Sequence, residues 1–547
     1  MMKKKFAAAA LALTLMALPL AACQNTGSST TAGTTVAGTT AAGATTQATN
    51  AGTETPGTSA AGSLVSADPV TFSIFLSFNN IAFDSSWPVW QEIAKRTNVS
   101  LESVIAQSSS DESQAFQLML SSGKLADIVG YVSMSELEQL GYDGGLLPLN
   151  DLIKEYAPDL QAMLDADPAF KRTATAADGN IYFIPRNFEN RFAEFYWIRQ
   201  DWLDKLNLQV PTTVEELHDV LLAFREQDPN GNGEKDEVPF FDRAGSKQQD
   251  EILNLWDSSL EFYPREGKMT YEPLGENFKY GMEQAIKWYE EGIIDQEYFT
   301  RGAKGRDTLM SANQGGFTHD WSSASNYNNS LQAEIPGLNM TAIAPPADQN
   351  GVVKERSTNN PGVGWGIAST AENPETIMKF FNFFFTEEGA ELMNWGLEGE
   401  TFEEVDGKKQ LTEEFLKREG TPIGNLRAMG SRYRIGYPST LEAELSTYTE
   451  FARAAAELYQ GNPEWYVENL PPYADGKLEL KFTEEESKEY SRIMGDVAPY
   501  VLEKYQSWIL GTADFTAEYD GFIEELNRRN INRAVEIVDA AYQRYLG

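Results

Sequence analysis

From residue 67 onward the sequence alternates short β-branched and aromatic segments with amphipathic segments. Val70 to Phe78 is typical of a strand, Ser85 to Thr97 of a helix and Ser103 to Ala106 of a second strand. Strands that alternate with helices form a mostly parallel sheet with helices on its faces. Toward the C-terminus the pattern is mainly helical, as at Thr483 to Ile509 and Ala517 to Tyr545. The sequence therefore predicts an α/β fold with a helix-rich C-terminal third.

Length and charge narrow the range of functions. At 547 residues the chain is too long for one hydrophobic core, so we expect two lobes of roughly 150–250 residues each. The 81 acidic residues against 44 Lys plus Arg give a net charge of −37, which repels phosphate backbones, so we expect no nucleic-acid partner. A single cysteine excludes an internal disulfide, and two histidines offer little for a zinc site or for imidazole catalysis.

The N-terminus predicts an export signal over residues 1–22. Lys3 to Lys5 form a positive segment, and Phe6 to Leu20 form an apolar one. A transmembrane helix is the alternative, but it needs about 20 apolar residues, more than this run contains. The following Leu20-Ala21-Ala22-Cys23 resembles the bacterial lipobox, in which the signal is cut before a lipidated cysteine. We therefore expect Cys23 to be lipidated and to anchor the protein on the extracellular face of the membrane.

Residues 23–66 predict a disordered tether behind that cysteine. They are nearly all Thr, Ala, Gly and Ser, with no aromatic residue and one charged side chain, Glu54. Such a composition cannot bury enough apolar surface to offset the entropy of ordering. As a flexible coil the segment would reach about 35–40 Å, so it would hold a folded domain clear of the lipid headgroups.

A loop beginning at Asp228 has the composition of a calcium site. Its oxygen-bearing side chains are Asp228, Asn230, Asn232, Glu234, Asp236 and Glu237. With Gly233 at the sixth position, this set suits a hard cation that takes 6–8 oxygen ligands, and Ca²⁺ fits best. The loop departs from an EF-hand because Pro239 occupies the twelfth position, so Asp236 or Glu237 would supply the bidentate carboxylate. The alternative is a Gly/Asn-rich turn with solvated acids.

Several segments carry a family resemblance. They are Tyr196 to Leu206, Pro211 to Leu217, the Asp228 loop, Asn373 to Gly389 and Asn394 to Gly399. Together with the lipobox they closely resemble the family-1 extracellular solute-binding proteins that serve carbohydrate ABC importers, in the subgroup of large lipoproteins with such a calcium loop. The resemblance implies a type II periplasmic-binding-protein-like fold whose two lobes close on an oligosaccharide. It also implies delivery to membrane permease subunits, and we expect a monomer.

Mapping that architecture onto the chain gives loose lobe boundaries. Lobe 1 would comprise residues 67–186 plus 362–400, and lobe 2 residues 187–361 plus 401–547. Each lobe would contain a mostly parallel sheet flanked by helices.

Sugar binding requires flat aromatic faces and short polar side chains. Four tryptophans lie in helical apolar stripes and are expected in the core: Trp90, Trp202, Trp288 and Trp508. Four others stand beside polar residues, where cleft and packing roles are equally open: Trp256, Trp321, Trp365 and Trp395. The remaining candidates are strand-end residues, two neighbours of Trp321 and a Gly/Arg/Tyr-rich segment: Phe78, Asn79, Asn80, Tyr131, His319, Asp320, Arg432 and Tyr433.

Two other functions stay open at this stage. A glycoside hydrolase needs only two carboxylates, although the sequence lacks G-x-S-x-G, H-E-x-x-H and phosphate-loop motifs. A peptide-binding lipoprotein would keep the fold and change the ligand. We expect a non-enzymatic oligosaccharide-binding protein.

Overall fold

A computed structural model of the protein describes residues 64–78, 81–106, 111–131, 133–188, 194–242, 250–302, 304–357, 364–468, 470–474 and 477–547. The predicted signal segment and Cys23 lie outside these residues. Within them, no helix combines the length and the apolarity needed to cross a bilayer.

The strands range from two to seven residues. They are β1 (Val70–Phe75), β2 (Ser77–Phe78), β3 (Ile81–Ala82), β4 (Val99–Ser103), β5 (Ile128–Tyr131), β6 (Ile184–Pro185), β7 (Asn187–Phe188), β8 (Glu194–Arg199), β9 (Val238–Phe240), β10 (Phe262–Arg265), β11 (Lys268–Tyr271), β12 (Gly315–Trp321), β13 (Met340–Ile343), β14 (Gly364–Ile367), β15 (Phe402–Val405), β16 (Lys408–Leu411), β17 (Pro438–Ser439), β18 (Tyr473–Ala474) and β19 (Lys477–Leu478).

The helices are longest toward the C-terminus. They are α1 (Pro88–Thr97), α2 (Glu112–Ser122), α3 (Met134–Tyr142), α4 (Asn150–Tyr156), α5 (Pro158–Ala166), α6 (Pro168–Ala174), α7 (Gln200–Leu206), α8 (Val214–Glu226), α9 (Glu276–Glu290), α10 (Gly305–Ser311), α11 (Tyr327–Ser330), α12 (Pro374–Phe383), α13 (Glu387–Trp395), α14 (Glu413–Leu416), α15 (Pro422–Ala428), α16 (Leu441–Ser446), α17 (Glu450–Gln460), α18 (Glu484–Ile509), α19 (Phe515–Arg528) and α20 (Ile531–Leu546).

Two sheets organise the molecule. The first has the strand order β4-β1-β5-β14-β6, and the second has the order β13-β8-β12-β9. In the first sheet only β14 opposes the other strands, because β1 is parallel to β4 and β5 while β14 is antiparallel to β5 and β6. In the second sheet only β8 opposes the others. Most strands of each sheet therefore run in one direction, as predicted, but β14 and β8 make both sheets mixed, with three parallel and four antiparallel pairings in all.

The opposed strands follow from the path of the chain between the sheets. The chain leaves the first sheet after β6 and enters the second through β8, and it returns after β13 through β14. A strand that enters a sheet from the edge where the other strands end must run against them. β8 and β14 therefore mark the edge of each sheet at which the chain crosses.

A third crossing follows β17. β17 pairs in parallel with β7, which lies in the first crossing segment, through Pro438 opposite Asn187. Ala443 still belongs to the core of the first sheet, whereas Tyr448 packs against the core of the second.

The hydrophobic cores correct one assignment made from the sequence. The segment from Phe402 to Ala443 contributes buried side chains, among them Phe415 and Leu426, to the core that contains β1, β14 and α12. The sequence-based assignment of residues 401–547 to lobe 2 is therefore wrong for residues 402–443, which pack with lobe 1. The later helices α18, α19 and α20 do pack in the core of the second sheet.

The C-terminal helices show how local chemistry sets helix ends. Thr483 and Glu486 form a capping box at the start of α18. Asn530 adopts a left-handed conformation with φ of 63°, which separates α19 from α20 where we expected one helix from Ala517 to Tyr545. Asparagine tolerates this conformation better than most residues.

Direct contacts also join the two lobes away from the crossings. Glu138 of α3 is buried and forms an ion pair with Lys481. The Tyr142 hydroxyl donates to the Phe482 carbonyl oxygen at 2.9 Å, and the Ser487 hydroxyl donates to the Gln139 side-chain oxygen at 3.1 Å. Side chains of α3 thus hold the segment that leads into α18.

Candidate ligand-binding site between the sheets

In the second lobe, the register of the sheet identifies the edge at which the chain crosses. β8 begins at Glu194, directly after the crossing segment, and Glu194 is opposite Trp321 at the end of β12. Ile343 at the end of β13 is opposite Tyr196. The carboxyl ends of β12 and β13 therefore lie at this edge, where open α/β sheets bind their ligands.

The same reasoning identifies the edge of the first sheet. β14 begins at Gly364 after the second crossing, and Gly364 is opposite both Tyr131 and Pro185. Tyr131 ends β5 and Pro185 ends β6, so the carboxyl ends of these strands lie at that edge. The same crossing segments join both edges, and a ligand held between the lobes would contact these strand ends.

Four of the predicted ligand residues lie at these edges. Tyr131 is buried, with its ring stacked on Phe116 at 3.9 Å between centroids and 6° between planes, so this ring packs in a core and its predicted ligand-stacking role is corrected. His319, Asp320 and Trp321 end β12. Trp321 is partly exposed at its end of the strand, and it is the one of the four tryptophans in polar contexts that is not buried.

Of the three strand-end candidates that follow β1, the structure describes the backbone of Phe78 only. Phe78 lies in β2, a two-residue strand just beyond β1, but its side chain is not among those described. Asn79 and Asn80 lie outside the described residues, so their role stays a prediction.

The other three tryptophans of that group lie in hydrophobic cores. Trp365 is fully buried and stacked on Phe381 with centroids 4.4 Å apart. Trp256 is 2% exposed and meets Trp288 edge-on at 5.1 Å. Trp395 is 4% exposed and packs against Phe402. We therefore correct their assignment from ligand stacking to packing, since no ring face is open to solvent. Trp90, Trp202, Trp288 and Trp508 are buried as predicted.

Arg432 and Tyr433 are also packed rather than exposed. Arg432 is 2% exposed, donates from Nε to the Asn394 carbonyl oxygen at 2.8 Å and pairs with Glu444. Tyr433 is 1% exposed, and its hydroxyl donates to the Ile81 carbonyl oxygen at 2.5 Å. These contacts correct the prediction of a ligand role: both residues fix the segment between α15 and β17.

His319 is buried at the centre of a charged cluster. Its Nδ1 lies 2.9 Å from Glu251 Oε2, and its Nε2 lies 3.2 Å from Glu355 Oε2. Burial lowers the pKa of His319, but the carboxylates outweigh burial and raise this pKa well above its ordinary value. Both ring nitrogens are then protonated and donate, so the imidazolium links two carboxylates from separate segments.

Two further groups complete this edge. Burial and the nearby carboxylates raise the pKa of Glu194 to about 8, against the opposing charge of His319. Arg306 donates to Asp320 Oδ2 at 2.8 Å and to the Ser323 hydroxyl at 3.2 Å.

Sequence analysis identified His319 and Asp320 but missed Glu194, Glu251, Glu355 and Arg306. They lie far apart along the chain, in no shared motif.

The Asp228 loop is held in a tight turn by its own side chains. Asp228 Oδ1 accepts from the backbone nitrogens of Gly231 and Asn232 at 2.8 and 3.1 Å, and Oδ2 accepts from Gly233 at 3.1 Å. The side-chain nitrogens of Asn230 and Asn232 donate to Asp236 Oδ1 at 2.9 and 3.0 Å. Four of the six predicted ligands therefore converge.

The remaining two predicted ligands differ from each other. Glu234 is exposed. Glu237 is 2% exposed, and neither of its carboxylate oxygens has a hydrogen-bond partner. Burial raises the pKa of Glu237, with contributions from the charges of Asp236 and Asp228. A buried carboxylate beside two acids fits a nearby cation.

That cation would need more than carboxylate and imidazole ligands. Among the described residues, no group of three or more His, Cys, Asp and Glu side chains is arranged to hold a metal ion. Amide and backbone oxygens of the loop would have to supply part of the coordination, as they do in calcium loops generally.

Comparison with known proteins gives a family match. The model of the family described as "Bacterial extracellular solute-binding protein" matches residues 83–391, which is more than half of the chain. The fructooligosaccharide ABC transporter substrate-binding protein FusA of Streptococcus pneumoniae serotype 4 is 26% identical over 490 residues, covering 84% of this chain and 87% of that protein. The structure of FusA in complex with kestose matches with a TM-score of 0.71 and 25% identity, over 87% of this chain and 99% of that chain.

Two other similar proteins are named for acidic polysaccharides. The crystal structure of alginate-binding protein AlgQ2 without calcium ion matches with a TM-score of 0.77 and 34% identity, over 88% of this chain and 99% of that chain. The polygalacturonan/rhamnogalacturonan-binding protein YtcQ of Bacillus subtilis (strain 168) is 24% identical over 429 residues, covering 76% of this chain and 83% of that protein. The structural matches have the two-lobed type II fold, which confirms the predicted fold class.

Proposed function

We propose a function from one premise: the chain belongs to the family of bacterial extracellular solute-binding proteins. In this proposal the protein captures an oligosaccharide between its two lobes and delivers it to the permease subunits of an ABC importer. It performs no chemistry on the sugar. The observation that carries the proposal is the extent of the match, because AlgQ2 matches over 88% of this chain and FusA over 84%, far more than either lobe contains.

The strand-end edges supply the groups that such a site needs. Trp321 offers a partly exposed aromatic face at the end of β12, which suits the C–H surface of a sugar ring. The neighbouring Asp320 side chain is fully buried and would not contact the sugar; its ion pair at 2.8 Å fixes the guanidinium of the partly exposed Arg306 instead. A ligand that contacts both edges favours the closed arrangement of the lobes, and this difference in affinity drives closure.

A calorimetric panel tests this function. Neutral oligosaccharides (kestose and nystose), acidic oligosaccharides (from alginate and galacturonan) and peptides of similar size are titrated into the protein. We expect heat with at least one sugar and none with peptides. At 100 times its dissociation constant, that sugar should stabilise the fold by about 2.7 kcal/mol. Binding of peptides alone, or turnover of a bound sugar, would contradict the proposal.

For calcium, we propose that the Asp228 loop binds one Ca²⁺ ion that stabilises the second lobe. Asp228, Asn230, Asn232 and Asp236 would hold the ion, with Glu237 as the carboxylate it neutralises; Glu234, being exposed, is a weaker candidate. In support, Glu237 is buried without a hydrogen-bond partner, and the ion would supply positive charge there. Chelation should lower the melting temperature of the wild type but hardly that of Asp228→Ala. Equal responses of the two proteins would exclude this site.

We also propose that Cys23 carries a lipid anchor, so that the protein works as a monomer tethered to the extracellular face of the membrane. The support is the sequence around Cys23, with its short apolar segment and the tether behind it. Cys23→Ser should move the protein from the membrane fraction to the medium without changing its sugar affinity. A variant that stays with the membrane would refute the anchor.

A further inference from the structure

The segment between α15 and β17 runs along the crossing edge of the first sheet. At one end, the Tyr433 hydroxyl donates to the carbonyl oxygen of Ile81, in the hairpin beyond β1. At the other end Gly436 packs so closely on Ile184 of β6 that a Cβ atom would lie 2.7 Å from the Ile184 carbonyl oxygen. Arg434 lies between these two fixed points and is partly exposed. Arg434 therefore lies at the edge where the ligand is expected.

Two more arginines join Arg434 there. Arg186 is the residue between β6 and β7, so it begins the first crossing, and its guanidinium lies 4.5 Å from the centre of the Phe188 ring. Arg427 is in the last turn of α15. The pairing of β7 with β17 brings Arg186 close to the segment that carries Arg434, since the Asn187 backbone nitrogen donates to the Tyr437 carbonyl oxygen at 3.0 Å.

The electrostatics of Arg427 agree with this geometry. Its pKa is lowered to about 10, first by burial and further by the positive charges of Arg186 and Arg434. Glu444 acts in the opposite direction, but it is ion-paired with Arg432 at 2.8 Å. Collecting like charges in a partly buried place costs stability, and such arrangements are concentrated at functional sites.

The arginine cluster stands out against the charge of the whole chain. With 81 acidic and 44 basic residues, the protein repels anions over most of its surface. An acidic ligand would therefore need a local concentration of positive charge in the cleft. All three arginines have other interactions in the folded chain, so the inference rests on their convergence and on their position.

We propose that Arg186, Arg427 and Arg434 bind a carboxylate of the sugar, so that the ligand is an oligosaccharide containing uronic acid rather than a neutral one. This inference rests on the proposed function and specifies its ligand. A guanidinium presents paired N–H donors that match the two oxygens of a carboxylate, which gives orientation as well as charge. A neutral sugar could accept hydrogen bonds from these groups but would lack the charge-assisted pairing that a carboxylate offers.

The test compares one sugar in two charge states. Galacturonate and alginate oligosaccharides of three to five residues are titrated calorimetrically, each beside its fully methyl-esterified form, with kestose as a neutral reference. The proteins are the wild type, Arg434→Gln, Arg434→Lys and Arg186→Gln. Arg528→Gln is the matched control, because Arg528 lies on α19 of the other lobe with its side chain 72% exposed.

We expect an acid to bind the wild type at least tenfold more tightly than its ester. Loss of one charge-assisted contact should weaken acid binding roughly tenfold to a hundredfold in Arg434→Gln and Arg186→Gln. Arg434→Lys should fall between Arg434→Gln and the wild type, and Arg528→Gln should match the wild type. Circular dichroism and melting curves without ligand check that the variants fold.

The other outcomes distinguish failure of the uronic-acid inference from failure of the proposed function. If kestose or the esters bind as tightly as the acids, the uronic-acid inference is wrong and the oligosaccharide function stands. If acids are preferred but the Arg186 and Arg434 variants behave like the control, the cluster is not the recognition element. If no sugar of either class binds, the proposed function itself fails. The wild-type comparison of acid and ester decides even if a variant does not fold.

Discussion

Exchanging Trp365 and Trp321 for alanine separates the two roles that the sequence could not distinguish. Trp365 is fully buried, stacked on Phe381 at 4.4 Å and edge-on to Phe384 at 5.2 Å. Trp321 is partly exposed at the crossing edge of the second sheet. We predict that Trp365→Ala destabilises the fold while Trp321→Ala weakens sugar binding.

The magnitudes follow from burial. Removing a fully buried tryptophan costs about 3–5 kcal/mol, because the transfer free energy is lost and a cavity remains. Trp365→Phe should cost clearly less, because it keeps a stacking ring and removes an indole N–H that is buried without a hydrogen-bond partner. Leaving such a group unpaired costs about 1–3 kcal/mol. Trp321→Ala should change stability by less than about 1 kcal/mol and lower sugar affinity about tenfold or more.

Urea unfolding followed by circular dichroism at 222 nm measures stability without relying on tryptophan fluorescence. Titration with a sugar that binds the wild type measures affinity in the same preparations. The reasoning is refuted if Trp365→Ala costs less than about 1 kcal/mol, or if Trp321→Ala costs more than about 2 kcal/mol with affinity unchanged, because the observed burial would then not govern either residue.

Three further outcomes are expected. Glu237→Gln should lower the melting temperature when calcium is present. After chelation its melting temperature should equal or exceed that of the wild type, since the variant removes a buried charge. An equal destabilisation in both conditions would mean that Glu237 has a structural role without calcium. Because the folded-state pKa of Glu194 is about 8 against an ordinary 4.5, the folded state keeps a proton that the unfolded chain releases, so stability falls as pH rises between these values. Glu194→Gln should lack this loss, which is at most about 1.4 kcal/mol per pH unit. Urea unfolding of both proteins at pH 5 to 8 tests this, and an equal pH dependence of their unfolding free energies would contradict the prediction. Lys481→Ala leaves the buried Glu138 without its cation and should cost up to about 3–5 kcal/mol; adding Glu138→Gln should recover part of this in a double-mutant cycle.

What could be predicted from the sequence was mainly local. Periodicity identified β1, α1 and the long helix α18, because side chains of one element repeat every two or 3.6 residues. The second strand was misplaced: it was predicted at Ser103 to Ala106, but β4 spans Val99–Ser103. The convergence of side chains in the Asp228 loop could be predicted because its oxygen-bearing residues lie within ten consecutive positions. The break at Asn530 was missed, because the amphipathic pattern continues on both sides of a single left-handed residue.

The rest depended on long-range pairing. The third crossing near β17 has no change of composition, so residues 402–443 were assigned to the wrong lobe. Polar neighbours made Trp365 and Trp395 resemble cleft residues, but their rings meet phenylalanines from other elements. The carboxylates around His319 come from segments more than 30 residues away, with separations of 68 and 36 residues for Glu251 and Glu355.

The three crossings also have a consequence for how the protein is made. Under the proposed export, in which the N-terminus leads, the chain cannot complete its first sheet until β14 has emerged, nor that sheet's core until Ala443 follows. The second sheet has all its strands once β13 has emerged, but its hydrophobic core is complete only when α20 has followed. Neither half can therefore finish folding while most of the polypeptide is still in transit. Strands that are buried in the folded protein, such as β5, are exposed and prone to aggregation throughout export. We therefore expect export of this protein to depend on chaperones that bind the unfolded chain at the translocation site.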